Sequence, residues 1–309
     1  MLFSFAVHPI VLHSLYQFAE HWIRRIRVRR CLVPFVILFL ERTGSTHLCS
    51  LLSNHPEVVC RHEDFCELGV NGLGVNNAAD HVVPDDVDAS QFVTYGKTSY
   101  RRALNKFKKK QIINPTRREI TQHFYDIYSC PAKACGFKFK FPIQVHLFPE
   151  VLNELHSALP ELRIIALRRQ NTLKQSISRE NMMRIRQAEN SDNLFKYRMT
   201  QPFDATFSID VPSVLKYARQ LKQQNSEFDE AIEQLDGKSR WPTQRLFYED
   251  LLNDQTAVVR SLFEFLEVDV NVQIFSGIRK ATPDDLASAI LNYDELEQAI
   301  AGTEFASML

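Results

Sequence analysis

The chain has no surplus of either charge: 37 lysines and arginines balance 37 aspartates and glutamates over 309 residues, a formal net charge of zero. Binders of nucleic acid usually carry a basic excess, so composition points to no nucleic-acid partner. Six cysteines (Cys31, Cys49, Cys60, Cys66, Cys130 and Cys135) include no CxxC pair and no metal-ligand spacing. In a chain this long they read as reduced, mostly buried thiols of a reducing, cytoplasmic compartment, and a bridge such as Cys60–Cys66 has no support. Neither an internal repeat nor a low-complexity tract is present. An uninterrupted apolar run of about 20 residues, which a membrane span requires, is also missing. Met1 to Ala19 comes nearest, but His8, His13, Gln17 and Glu20 break it. The basic run Arg24–Arg30 follows that stretch instead of preceding it, and no small-residue cleavage site is visible, so a signal peptide is not expected either. Residues 1–33 are read as an amphipathic, basic helical segment docked on the domain. The alternative is an interfacial helix, which would put the protein in peripheral contact with the inner face of an anionic membrane.

What is present is enough for a sizeable core. Hydrophobic residues make up 45% of the chain, fitting one large domain or two smaller ones. From Pro34 onward apolar strand-like runs alternate with helical patterns, the signature of an α/β protein with a mainly parallel sheet. Strands are predicted at Phe35–Leu40, Cys135–Phe141, Arg163–Leu167 and Gln244–Phe247, and helices at Thr46–Ser53, Asn171–Arg184 and Leu251–Leu266. Between about 69 and 129 the chain is polar and irregular, then basic at Arg101–Lys110, as expected of a surface insertion into a single domain covering 34–309. That basic run could steer an anionic acceptor, although such runs are usually solvated helix faces.

Two strand ends suit anions. The first is Arg42-Thr43-Gly44-Ser45-Thr46, where an apolar strand breaks and an amphipathic helix starts at once. Backbone N–H groups and the positive end of the helix dipole converge there, Gly44 permits close approach, Arg42 adds charge, and three hydroxyls can donate. The upstream glycine and following lysine of a Walker A loop are both absent. An ordinary βα turn with a Ser/Thr cap would look much the same. The second is Leu162–Met183, in which a strand ends at Arg168-Arg169 and the next helix carries Ser176 and Ser178; an arginine and a serine so placed can clamp a second phosphate. Two such ends in one sheet are more specific than either alone, because ligands of open α/β sheets lie beyond the strands' carboxyl ends.

Together, RTGSTHLCSLLSNHPEVVC and LRRQNTLKQSIS resemble the sulfotransferases that use 3′-phosphoadenosine 5′-phosphosulfate (PAPS), in particular the bacterial branch with carbohydrate and nodulation-factor enzymes. Tyr248-Glu249-Asp250-Leu251-Leu252 and the tail RKATPDDLASAILNYDELEQAIAGTEF are similar to the same branch. The resemblance implies a P-loop-like three-layer fold, a central mainly parallel sheet flanked by helices. It also implies PAPS as co-substrate, no metal, and a hydroxylated small-molecule, glycan or glycolipid acceptor. Residues 42–46 would then hold the 5′-phosphosulfate, and Arg169 with Ser178 the 3′-phosphate. The usual eight-residue spacing fits Arg168 with Ser176 instead, whereas Asn171, Leu173, Gln175 and Ile177 favour Arg169 with Ser178. Arg279 and Lys280, before a Thr282-Pro283 helix start, resemble the family's late basic contact to the 3′-phosphate.

The family's general base follows the first helix, which points to Glu63, with His62 as rival since its unperturbed pKa of about 6.5 already suits the task. On CGFKFKF, strand alternation puts Lys138 and Lys140 on one face, with Lys138 either facing the cleft or lying at a sheet edge. A P-loop kinase or NTPase, and a non-catalytic nucleotide-binding protein, are the competing readings. Oligomeric state leaves no mark on the sequence.

Overall fold

The computed structural model describes residues 31–61, 127–128, 130–141, 159–189, 206–239, 241–274, 276 and 282–309, without the side chains of 186–189 and 236–239. The expectations for the N-terminal helix, the 69–129 insertion, His62, Glu63, Arg279 and Lys280 therefore lie outside the described residues.

Every residue of β1 (Val33–Phe39) is buried, as a strand covered on both faces requires. Phe35, Ile37 and Phe39 face one core, against Leu48, Leu51 and Leu52 of α1 (Ser45–Ser53) and Leu262 and Phe263 further on. Val36, Leu38 and Leu40 face the opposite core, which contains Phe228, Ile232 and Trp241. Two faces, each with its own apolar layer, give the three-layer α/β architecture that was expected.

β1 is central. With β2 (Val58–Arg61), β3 (Ala134–Lys140), β4 (Arg163–Arg168) and β5 (Thr243–Phe247) it forms a five-stranded sheet of order β2-β3-β1-β4-β5, every pair parallel. The chain leaves β1 toward β2 and β3 on one side and later crosses to β4 and β5 on the other. The carboxyl end of β1 is thus the switch point where such sheets place ligands. Gly136 of β3 is dictated by this packing, since a Cβ there would lie 2.4 Å from the Phe35 ring and 2.5 Å from its carbonyl oxygen.

The four predicted strands all exist, with ends shifted by one or two residues. β2 was missed, because four residues of half-buried strand carry too little periodicity. The helix expected over Leu251–Leu266 is two, α4 (Tyr248–Asn253) and α5 (Gln255–Phe265), divided where the Asp254 carboxylate accepts from Ala257 N–H at 2.9 Å and caps the second. Of the stretch 186–238, the described residues are mostly helix, the end of α2 (Thr172–Glu189) and most of the 29-residue α3 (Val211–Ser239). Near the C-terminus a short helix starts not at Thr282-Pro283 but at α6 (Leu286–Ala289), where the Asp285 side chain accepts from Ser288 N–H; α7 (Tyr293–Ile300) follows. The cysteine expectation also needs correcting. Cys31, Cys49 and Cys60 are free and buried, but Cys130 and Cys135 are joined as a disulfide, brought together by the short turn leading into β3. Among the described residues no helix is long and apolar enough to cross a membrane.

Because α3 covers one face of the sheet, Phe228→Ala should cost about 3–5 kcal/mol, as for other fully buried aromatics. Urea unfolding would measure it, and a loss below 1 kcal/mol would mean that the helix is peripheral.

Candidate active site

Beyond Phe39 the chain turns through Glu41, Arg42 and Thr43 before α1 starts at Ser45. Both Arg42 (φ 62°) and Gly44 (φ 79°) are left-handed. Such a backbone costs a non-glycine residue roughly 1–2 kcal/mol, so Arg42 must be held by its surroundings. The contacts are present. Thr43 Oγ1 donates to Leu40 O at 2.7 Å, Gln175 Nε2 to Glu41 O at 2.6 Å, and Arg169 Nη1 to Arg42 O at 3.4 Å. Arg42 Nε and Nη2 both donate to Ser178 Oγ, at 3.2 and 3.0 Å.

The N-cap of α1 is Gly44, not a serine or threonine, so no capping side chain competes at the helix N-terminus. A glycine is required for a second reason: a Cβ would sit 2.4 Å from the Tyr248 ring, which lies against the loop. Below it, Lys138 is 2% exposed and donates to Thr46 Oγ1 at 3.1 Å, with its ammonium 5.3 Å from the Phe39 ring centroid. β3 is interior, so Lys138 is not a sheet-edge residue; it supplies a positive charge beneath the loop. The Thr43 hydroxyl, expected to face an anion, is committed to the loop's own backbone, while buried Ser45 and half-buried Thr46 open α1.

At the end of β4 the two arginines separate. Arg168 turns toward α3 and pairs with Asp229, its guanidinium against the Phe247 ring. Arg169 turns toward the loop, 4.7 Å above the Tyr248 ring and 3.9 Å from Glu249. The serines divide likewise. Ser176 Oγ is buried and donates to Val214 O at 2.7 Å, whereas Ser178 meets Arg42. The structure therefore brings Arg42, Arg169 and Ser178 together and leaves Arg168 and Ser176 in packing roles. Burial lowers the pKa of Arg169, opposed by Tyr248, Glu249 and Asp284. Its Nε faces the Glu249 carboxylate at 3.9 Å and, like Arg168 Nε, makes no hydrogen bond within the protein.

Three further groups had been given no role: Glu249, Gln175 with Arg179, and Glu41. Glu249, inside a segment noted only as a likeness, accepts from the N–H groups of Gln170 and Asn171 at 3.0 and 3.1 Å and so braces the entry to α2. Gln175 and Arg179 stand at i and i+4 on α2 and share with the expected Ser178, at i+3, the face that meets the loop. Glu41 is the third. It accepts from Lys140 Nζ at 2.6 Å and Tyr217 OH at 2.7 Å, and Arg179 Nε lies 2.9 Å away. Burial alone would raise its pKa, but Lys140, Tyr217 and Arg179 outweigh that and hold the carboxyl at about 2. Burial, with Glu41 adding to it, pushes the Tyr217 phenol up, so it stays a donor. Among the described residues no cluster of three or more His, Cys, Asp or Glu side chains could hold a metal ion.

The fold and these strand ends define a P-loop-like α/β protein with an anion-suited loop that lacks the Walker lysine. A family model described as "Sulfotransferase family" matches residues 34–271, and the chain belongs to that family. No curated protein matches it. Among solved structures it is similar to a sulfotransferase from Alicyclobacillus acidocaldarius (15% identity, 89% of this chain and 97% of that one, TM-score 0.41). It is also similar to the sulfotransferase domain from the curacin biosynthetic pathway (16%, 84% and 84%, 0.45) and to a sulfotransferase from Mycobacterium avium (14%, 94% and 79%, 0.41).

Two predictions follow from this geometry. Gly44→Ala should lower stability by about 1–3 kcal/mol through clash and backbone strain; adding Tyr248→Ala should relieve the clash alone, so a double variant as stable as Tyr248→Ala would refute the strain. Glu41, with a folded pKa of about 2 against an ordinary 4.5, contributes stability that is complete above about pH 4.5 and lost as the pH falls toward 2. That contribution is on the order of 2–3 kcal/mol. Glu41→Gln should lack it at neutral pH, and the gap to wild type should close on acidification; a gap independent of pH would show that the charge is not what stabilises.

Proposed function

We propose that the protein transfers the sulfuryl group of PAPS to a hydroxyl of a carbohydrate or glycolipid, as the likeness to the bacterial carbohydrate branch suggests. The observation that carries this reading is the meeting of Arg42, Arg169 and Ser178, in which Arg169 donates to Arg42 O and Arg42 to Ser178 Oγ. Residues 42–46 would hold the 5′-phosphosulfate, using the α1 N-terminus, Arg42 and the underlying Lys138. Arg169 and Ser178 would take the 3′-phosphate, with Arg279 and Lys280 as further contacts. The donor supplies a sulfuryl group that moves in line with dispersed charge on its oxygens. Preorganised N–H, hydroxyl and cationic donors then stabilise the charge that builds at the loop, and we infer that no metal is obligatory. Glu63, or His62 in its place, would accept the proton of the attacking hydroxyl.

Thermal unfolding with adenosine 3′,5′-bisphosphate in EDTA, with ATP–Mg and without ligand tests the reading. The bisphosphate alone should raise the midpoint by several degrees, as expected for a ligand that binds only the native state. No response at millimolar bisphosphate, or a response confined to ATP–Mg, would overturn it. Arg169→Ala should weaken bisphosphate binding roughly 10- to 100-fold, the range for a charged hydrogen bond, and Arg168→Ala much less. Once labelled PAPS and a panel of glycans and lipids identify an acceptor, Glu63→Gln should lower turnover about 10²- to 10⁴-fold with bisphosphate affinity unchanged. The same loss in His62→Gln instead would reassign the base.

A further inference from the structure

We propose that Glu41 is a positioning residue for the 42–46 loop, its carboxylate fixing the orientation in which Arg42 and the α1 N-terminus receive the donor's 5′-phosphosulfate. The inference rests on the donor reading above and adds a residue that neither anion-suited motif contains.

A carboxylate beside an anion-binding loop is a paradox on charge alone, because it repels the ligand. Here it is enclosed by Lys140 of β3, Arg179 of α2 and the Tyr217 hydroxyl of α3. Arg179 in turn lies against the Tyr217 ring, 4.2 Å from its centroid. Three elements that arrive from far along the chain are thereby tied to the residue just before the left-handed Arg42. Glu41 is fastened at both ends, since its carbonyl oxygen also accepts from Gln175.

The decisive feature is register. Glu41 and Arg42 are consecutive in the loop, and their partners Arg179 and Ser178 are consecutive in α2. Sliding the loop along the helix would break both contacts at once. Removing the carboxylate would also leave Lys140 and Arg179 unneutralised next to Arg42, and their repulsion would drive the Arg42 guanidinium from its place. The node therefore trades some attraction for the ligand against a defined geometry.

Charge and position predict opposite signs, which makes the idea testable. Dissociation constants of adenosine 3′,5′-bisphosphate and 3′-AMP would be measured by calorimetry on the full chain. Their ratio reports what the 5′-phosphate contributes. In Glu41→Gln that ratio should fall roughly tenfold, a loss typical of one charge-assisted contact. The 3′-AMP constant should change by a clearly smaller factor, because Ser178 loses Arg42 but Arg169 keeps Tyr248 and Glu249. Tyr217→Phe, a milder change that keeps the carboxylate and both cations, should reduce the ratio in the same direction by a smaller factor. A ratio that is unchanged or increased in folded Glu41→Gln and Tyr217→Phe would overturn the proposal. So would equal weakening of both ligands, which is what general loosening of the structure would produce. Should wild type itself show no preference for the bisphosphate over 3′-AMP, the donor reading fails first and the positioning role with it.

Discussion

The double hydrogen bond from Arg42 to Ser178 is the contact around which the site is organised. It joins the end of the central strand to the second turn of α2, 136 residues later, and holds a non-glycine residue in a conformation it would not adopt alone. Beside it, Gln175 donates to Glu41 O and Arg169 to Arg42 O, so the loop is held from both α2 and the end of β4. Without it the loop would be a strained turn with a loose cation. The contact also depends on the sheet order, because only a strand between β3 and β4 can present its end to groups from both sides.

Charge at this end of the sheet is arranged in layers. Lys138 lies buried beneath the loop, Arg42 and Arg169 lie around it, and Lys140 and Arg179 are neutralised by Glu41. The cations nearest the loop bind Ser178, Thr46 and the loop's own carbonyl, while those behind pair with Glu41. Tyr248 has a double part, packing on Gly44 and stacking under Arg169. Glu249, the next residue, binds the N–H groups at the start of α2. One dipeptide following β5 thus braces both strand ends.

Much of the fold was legible along the chain. Runs such as PFVILFL and RIIALR are apolar on both faces and bounded by polar turns, which only a doubly covered parallel strand satisfies. The amphipathic start after Gly44 marked α1. Less legible were elements without such contrast. β2 is four residues long, and α3 is so polar on its outer face that its buried positions, Phe228 and Ile232, do not stand out. The division at Asp254 and the cap at Asp285 are local side-chain effects that a periodicity of 3.6 residues does not register.

The sequence by itself determined the α/β class, the glycine at the phosphate-type loop, the missing Walker lysine, and the paired motifs that place the chain with the sulfotransferases. These are local properties, set by alternation, helix period and turn chemistry over a dozen residues. Only the tertiary structure decided which arginine and which serine face the loop. It also decided that Lys138 is interior, that Tyr248 covers Gly44, and that Glu41 gathers Lys140, Arg179 and Tyr217. The reason is geometric: successive residues at a strand end point to opposite faces, and each meets partners 61 to 176 residues away only after the crossovers have closed the sheet.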